Sequence, residues 1–240
     1  MRCGLINMNS MDKLGKKKFR EQNEELSKRF DVEKFLTESH FLIRSVELKR
    51  VSFISDMLSG MRGSILDIGC GSGFLLRKLK AKKLCGIDLS FHNLIEAKKN
   101  LEGKADSFLL QADAELLPFG DSRFDAILCS EVIEHVQNPE SVLKEATRSL
   151  KDSGTFIITV PNDNLVNRCK LIFKVLGLRR LFNLQYGGAE ERHLHIFTKR
   201  QIIGLLARYG YRVKRIKRSP FYFLPLRYVF LCAKDGLADG

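Results

Sequence analysis

The sequence predicts an α/β protein built on a doubly wound, mostly parallel sheet, and three observations lead to that class. First, Ser64-Ile65-Leu66-Asp67-Ile68-Gly69-Cys70-Gly71-Ser72-Gly73-Phe74-Leu75-Leu76 reads as a buried strand, a tight glycine turn and a helix start. Second, strand-like and helix-like segments alternate from there to Pro161, the pattern of βαβ units. Third, two later strand-like segments end in carboxylates, Asp88 and Asp113, at what would be the ligand-binding edge of such a sheet.

The 240 residues suit one domain of this class with additions, and a hydrophobic fraction of 44% is ample for its core. Residues 1–18 read as a disordered basic leader and 19–60 as amphipathic N-terminal helices. Residues 61–234 form the main domain, with a lid-like insertion over 163–192, and 235–240 are a tail. Phe74 to Lys82 is a short helix, and Lys83 to Ser90 is the second strand. His92 to Leu101 is the next helix, and Ser107 opens a third strand that runs through Asp113 and Ala114 into a loop at Leu117-Pro118-Phe119. A polar turn, Asp121 to Asp125, precedes the fourth strand, Ala126 to Ser130.

Asn138-Pro139-Glu140 supplies a cap, a first-turn proline and an early carboxylate for a helix that runs to Leu150. After a turn at Lys151 to Gly154, Thr155 to Val160 is the fifth strand. Thr198 caps a helix from Lys199 to Tyr209, which Gly210 ends. Tyr211 to Lys217 and Tyr228 to Lys234 read as two further strands paired as a C-terminal antiparallel hairpin, making seven in all.

The glycine spacing separates two ligand classes. A dinucleotide fingerprint reads G-x-G-x-x-G and seats a pyrophosphate on the helix start. Here the order is G-x-G-x-G, and Asp67 would face a pyrophosphate unfavourably. A ligand carrying an amine and a sulfonium suits that charge better. The segment resembles motif I of class I S-adenosylmethionine (SAM) methyltransferases, of Rossmann-like fold, with Asp67, Gly69, Cys70, Gly71 and Gly73 at the cofactor-facing positions. Asp88, nineteen residues after Gly69, stands where that family holds the SAM ribose, followed by Leu89. Asp113 and Ala114 stand where it meets adenine.

Strand four leads into Ser130-Glu131-Val132-Ile133-Glu134-His135-Val136, with Ser130 and Glu131 as further cofactor contacts. The run resembles that of ubiquinone-pathway O-methyltransferases and related small-molecule enzymes of methyltransferase type 11. His193, in a following H-x-x-x-F-T pattern, is similar to the same family's histidine. The Asp/Asn-Pro-Pro-aromatic tetrad of adenine-modifying nucleic-acid enzymes is missing, and no DNA partner is expected. The resemblance implies methyl transfer from SAM to a small-molecule or lipid-like acceptor, most readily at oxygen.

His135 is the candidate catalytic base for a protonated nucleophile. Glu131, Glu134 and His135, with His193 or His195, are candidate ligands for a divalent metal that would lower a phenol pKa; packing and cofactor contacts are the more ordinary account of the same residues. An RNA or protein methyltransferase, or a SAM-binding module without turnover, stays open as the alternative.

The net charge of +13 is unevenly placed. Residues 1–161 hold 25 Lys/Arg against 23 Asp/Glu, whereas 162–218 hold 14 against 3. Within that basic region Leu165, Cys169, Ile172, Phe173 and Leu176 form a helical stripe, followed by Arg179, Arg180 and Phe182. A lid, an anionic membrane contact and an oligomer contact all fit it. The six cysteines form no C-x-x-C pair and read as free thiols in a reducing compartment. Lys13 to Arg20 is too polar for a signal-peptide core, and Phe221 to Ala233 is too short and too interrupted to span a bilayer. The expected location is cytoplasmic, with peripheral membrane contact through the basic insertion.

Overall fold

The computed structural model describes residues 8–29, 41–104, 106–175 and 193–235. The described residues begin with the helices α1 (Met8–Arg29) and α2 (Phe41–Met57). The alternating core follows as β1 (Ser64–Ile68), α3 (Phe74–Lys78), β2 (Lys83–Asp88), α4 (Phe91–Asn100), β3 (Ser107–Gln111), β4 (Phe124–Ser130), α5 (Pro139–Ser149) and β5 (Leu150–Pro161). Then come α6 (Asp163–Val175), α7 (Lys199–Arg208), β6 (Tyr211–Pro220) and β7 (Pro225–Lys234). The seven strands lie in the order β3-β2-β1-β4-β5-β7-β6. Neighbours from β3 to β5 are parallel, and β7 pairs antiparallel with both β5 and β6.

Both faces of the sheet are buried, which is why its central strands are apolar at consecutive positions. On β4, Ile127 and Cys129 join Val142, Leu143 and Ala146 of α5 and Ile202 and Leu206 of α7. Ala126 and Leu128 face the other way, with Leu76 of α3, Leu94 of α4 and Val51 and Ile54 of α2. The chain reverses its winding between β1 and β4, and at such a switch the loops at the carboxyl ends of the strands splay apart to leave a crevice.

Several boundaries differ from the sequence reading. The first helix begins at Met8, inside the segment expected as a disordered leader. It is rich in strong helix formers and carries the i,i+4 pairs Lys17–Glu21 and Arg29–Glu25. Helix α3 stops at Lys78, because Leu79 turns to an extended conformation. Strand β5 starts at Leu150, which pairs with Phe124, and Lys151 to Gly154, expected as a turn, falls within it as an irregularity where the register shifts before Ala126 pairs with Thr155. Strands β6 and β7 are longer than expected and leave only residues 221–224 as their loop.

Helix α6 occupies the start of the expected insertion; Arg179, Arg180 and Phe182 lie outside the described residues. Cys70, Cys85, Cys129 and Cys232 are buried free thiols, and Cys169 is a half-buried one. No described helix is long and apolar enough to cross a membrane.

Candidate active site

The glycine turn leaves β1 with Gly69 at φ 69° and Gly71 at φ 53°, backbone that favours glycine. A β-carbon on Gly69 would lie 2.4 Å from Cγ2 of Val132, whereas one on Gly71 would meet nothing within 4 Å. The turn therefore packs its first glycine against the protein and opens its second to a ligand. Cys70 N–H donates to the Ile87 carbonyl at 2.8 Å, and Gly73 N–H donates to that of Cys70 at 2.9 Å.

Asp88, at the tip of β2, locks this turn to the second strand. Its Oδ2 accepts from Gly71 N–H at 2.9 Å, and its Oδ1 accepts from Ser90 N–H at 2.8 Å and Asn93 Nδ2 at 3.2 Å. Burial raises the Asp88 pKa above the ordinary aspartate value, although these donors oppose the rise. A carboxylate has about four acceptor sites, so with these three donors Asp88 keeps one site open, on Oδ2. Leu89 follows it, its carbonyl accepting from Gln111 Nε2 at 2.9 Å. Next along the edge, Asp113 Oδ1 accepts from Glu115 N–H at 3.0 Å, and Ala114 packs against the core.

Asp67 is 2% exposed and has no hydrogen bond among the described residues. Burial, with the Asp88 charge adding to it, pushes its pKa up to about 7 against the pull of Arg50. A buried carboxylate with no donor beside an open turn is an electrostatic complement for a cation.

The tip of β4 is held by a closed polar ring. Glu131 takes a left-handed backbone, φ 57°. Its N–H reaches Thr159 Oγ1 at 3.1 Å, and the Thr159 hydroxyl donates back to its Oε1 at 2.8 Å. Arg227 of β7 pairs with Glu131 Oε2 at 2.6 Å and with Glu47 of α2 at 3.4 Å. Arg50 bonds Glu47 Oε2 through Nε at 3.0 Å and Nη2 at 2.8 Å, and its Nη1 donates to Ser130 Oγ. Burial works against ionisation of Glu47, but Arg50 and Arg227 outweigh it and hold the pKa below the usual glutamate range.

Glu134 is 1% exposed, and among the described residues neither carboxylate oxygen has a hydrogen-bond partner. Burial first, and the Glu131 charge second, push its pKa well above the ordinary value. Its carbonyl accepts from Leu194 N–H at 2.8 Å and His195 N–H at 3.2 Å, which ties 193–195 to the acidic run. Donor atoms of Glu134, His135 and His193 all lie within 4.8 Å of one another. Asp163 Oδ1 stands 3.0 Å from His193 Nδ1, and the His193 and His135 rings meet edge to face at 4.8 Å.

Of the candidate metal ligands, the structure thus gathers Glu134, His135 and His193 and directs Glu131 to Arg227 and Thr159. Sequence reasoning missed Glu47, Arg50, Thr159, Asp163 and Arg227. Arg227 had a signal, since it is a lone charge in the apolar run Phe221 to Ala233. Glu47 and Arg50 had none among the many charges of α2.

A family model described as a methyltransferase domain matches residues 39–216. A ubiquinone biosynthesis O-methyltransferase of Alkalilimnicola ehrlichii is 32% identical over 147 residues, covering 59% of this chain and 58% of that protein. One of Coxiella burnetii is 29% identical over 153 residues, covering 62% and 63%. The chain thus spans about three fifths of the length of these curated relatives.

Among solved structures, a SAM-dependent methyltransferase of Thermotoga maritima described as a possible histamine N-methyltransferase has a TM-score of 0.61 at 22% identity, covering 90% of this chain and 98% of that one. A chain from the complex of the Haloferax volcanii Trm112 methyltransferase activator with a putative methyltransferase has a TM-score of 0.61 at 17% identity, covering 81% and 94%. At these identities the structural likeness is one of fold.

Proposed function

Because the chain belongs to the methyltransferase domain family, we propose that it transfers the methyl group of S-adenosylmethionine to an oxygen of a small, lipid-like acceptor. The observation that carries the cofactor half is the open face of Gly71 beside a carboxylate, Asp88, already fixed to the same turn. The acceptor half rests on the likeness to ubiquinone biosynthesis O-methyltransferases.

The residues fit that cofactor. Asp88 would accept from a ribose hydroxyl, with Leu89 beside it, and Asp113 and Ala114 would meet the adenine edge. Gly69, Cys70, Gly71 and Gly73 would pass close under the ligand, Asp67 would face its positive charge, and Ser130 and Glu131 would bound the far side. Bound SAM supplies a methyl carbon activated by its sulfonium. The protein's work is then alignment, which can contribute about 7–11 kcal/mol, and removal of the acceptor's proton. His135, just beyond the β4 tip, would take that proton.

A second reading has a specific observation behind it. The unpartnered oxygens of Glu134 lie beside His135 and His193, a mixed nitrogen and oxygen donor set that suits a divalent cation. Such an ion would acidify a phenol, as metal ions acidify bound water. We place the protein in the cytoplasm, meeting its acceptor at an anionic membrane surface. Helix α6 and the residues after it would cover the acceptor. Methyl transfer from labelled SAM into extracted lipids and small molecules, with and without a chelator, tests both readings.

A further inference from the structure

Strand β7 runs antiparallel to β5, with Arg227 opposite Pro161, so the loop at 221–224 emerges at the carboxyl edge of the sheet. That is the edge of the glycine turn and of the β4 tip. The loop holds three consecutive aromatic residues: Phe221, Tyr222 and Phe223 are 44%, 76% and 83% exposed. The rings of Phe221 and Phe223 stack on each other at 5.4 Å, and the Arg218 guanidinium lies 4.1 Å over the Tyr222 ring. Water is a poor solvent for such a cluster, and no described residue covers it.

The surroundings are cationic. Strand β6 carries Arg212, Lys214, Arg215, Lys217 and Arg218, and no Asp or Glu occurs between His193 and Lys234. Ser219 Oγ donates to the Val46 carbonyl at 2.8 Å, fastening α2 beside the loop. That helix exposes Phe41 and Leu48 together with Arg44 and Lys49.

We infer that the β6–β7 loop is an interfacial anchor, whose aromatic rings enter the headgroup region of an anionic bilayer while the flanking Lys and Arg meet its charge. Aromatic side chains favour that depth, and each basic residue near an anionic surface adds to the attraction. The same elements could suggest single-stranded nucleic acid, which stacks its bases on open aromatic faces. Here Phe221 and Phe223 close their facing sides against each other, and Arg218 occupies a face of Tyr222, so the lipid surface is the better match. Docked this way, the ligand edge faces the bilayer, and a lipid-like acceptor reaches the site without crossing water. That consequence rests on the function proposed above; the docking step does not.

The test uses the full chain and vesicles of phosphatidylcholine with or without a quarter of phosphatidylglycerol. The chain has no Trp, so Phe223→Trp gives a single Trp that can be excited apart from the tyrosines. Its emission should shift to the blue on anionic vesicles, and flotation should be about tenfold weaker on neutral ones. The triple variant Phe221→Ser/Tyr222→Ser/Phe223→Ser should lose about tenfold in flotation while keeping its melting temperature and SAM affinity. Unchanged flotation of that variant, or an unshifted Trp emission on vesicles that do bind, overturns the anchor. So does displacement from vesicles by a single-stranded RNA that binds the loop more tightly. Loss of the melting transition in the triple variant shows a packing role and also overturns it. Vesicle binding by a protein that fails to bind SAM contradicts only the function proposed above.

Discussion

Arg227 Nε lies 2.6 Å from Glu131 Oε2, so the last strand of the sheet reaches across β5 to hold the residue just past β4. The pairing of Arg227 with Pro161 puts that guanidinium level with the strand tips. Burial opposes its charge, but Glu131 and Glu47 outweigh burial and raise its pKa above the ordinary arginine value.

Removing the cation should cost more than the pair's net worth, because Glu131 is left with only the Thr159 hydroxyl and Glu47 with only Arg50. Arg227→Met is expected to destabilise the fold by about 3 kcal/mol in urea unfolding, and Arg227→Lys by less. Equal stability of Arg227→Met and the parent would show that solvent already screens the ring.

The two glycines of the turn should fail in different ways. Gly69→Ala forces a β-carbon against Val132 and should lower the melting temperature markedly. Gly71→Ala has room and should cost only about 1 kcal/mol for its backbone conformation, yet it should weaken SAM binding at least tenfold. Calorimetry beside thermal melts separates the two; a Gly71→Ala protein that binds SAM normally would place the cofactor elsewhere.

Asp67 gives the fold a pH dependence of known sign. Its folded pKa, about 7, lies above the ordinary aspartate value of 3.8, so the native state binds this proton more tightly than the unfolded chain does. The stability it confers is full below about pH 4 and is lost as pH rises towards 7, at about 1.4 kcal/mol per pK unit. Asp67→Asn should therefore gain stability over the parent at pH 8 and not at pH 4, as read by melts across that range. SAM binding at pH 6 should release a proton in the parent and none in the variant, because a cation beside Asp67 favours its charged form.

At the acid–histidine cluster, His135→Ala should lower kcat by about a hundredfold or more under either reading. Chelation decides between them. If turnover disappears with chelator and returns with added divalent ions, Glu134→Gln should reproduce the loss. If turnover ignores the chelator, His135 acts as the base alone. A His135→Ala enzyme of full activity would leave the cluster structural.

Much of this was legible because strands buried on both faces announce themselves as apolar runs that stop at a polar tip. Asp88 and Asp113 were visible for that reason, as was the glycine turn before them. The polar ring was not, because Glu47 and Arg50 look like ordinary surface charges until α2 is laid across β6 and β7. Lys151 to Gly154 read as a turn because local preference said so; the pair Leu150–Phe124 ahead of them extends β5 and leaves them as the irregularity where its register shifts. The association of Asp163 with His193 spans 30 residues and has no local signature.

The central claim is methyl transfer from SAM held at Asp88. It is tested most directly by incubating the protein and its Asp88→Ala variant with methyl-tritiated SAM and a lipid extract. The account predicts label in the organic phase with the parent protein and a loss of at least about a hundredfold, at limiting SAM, with the variant, since hydrogen bonds to a charged group are worth about 1.5–3 kcal/mol each. Label that appears in RNA or protein instead, or equal labelling by the variant, would contradict it.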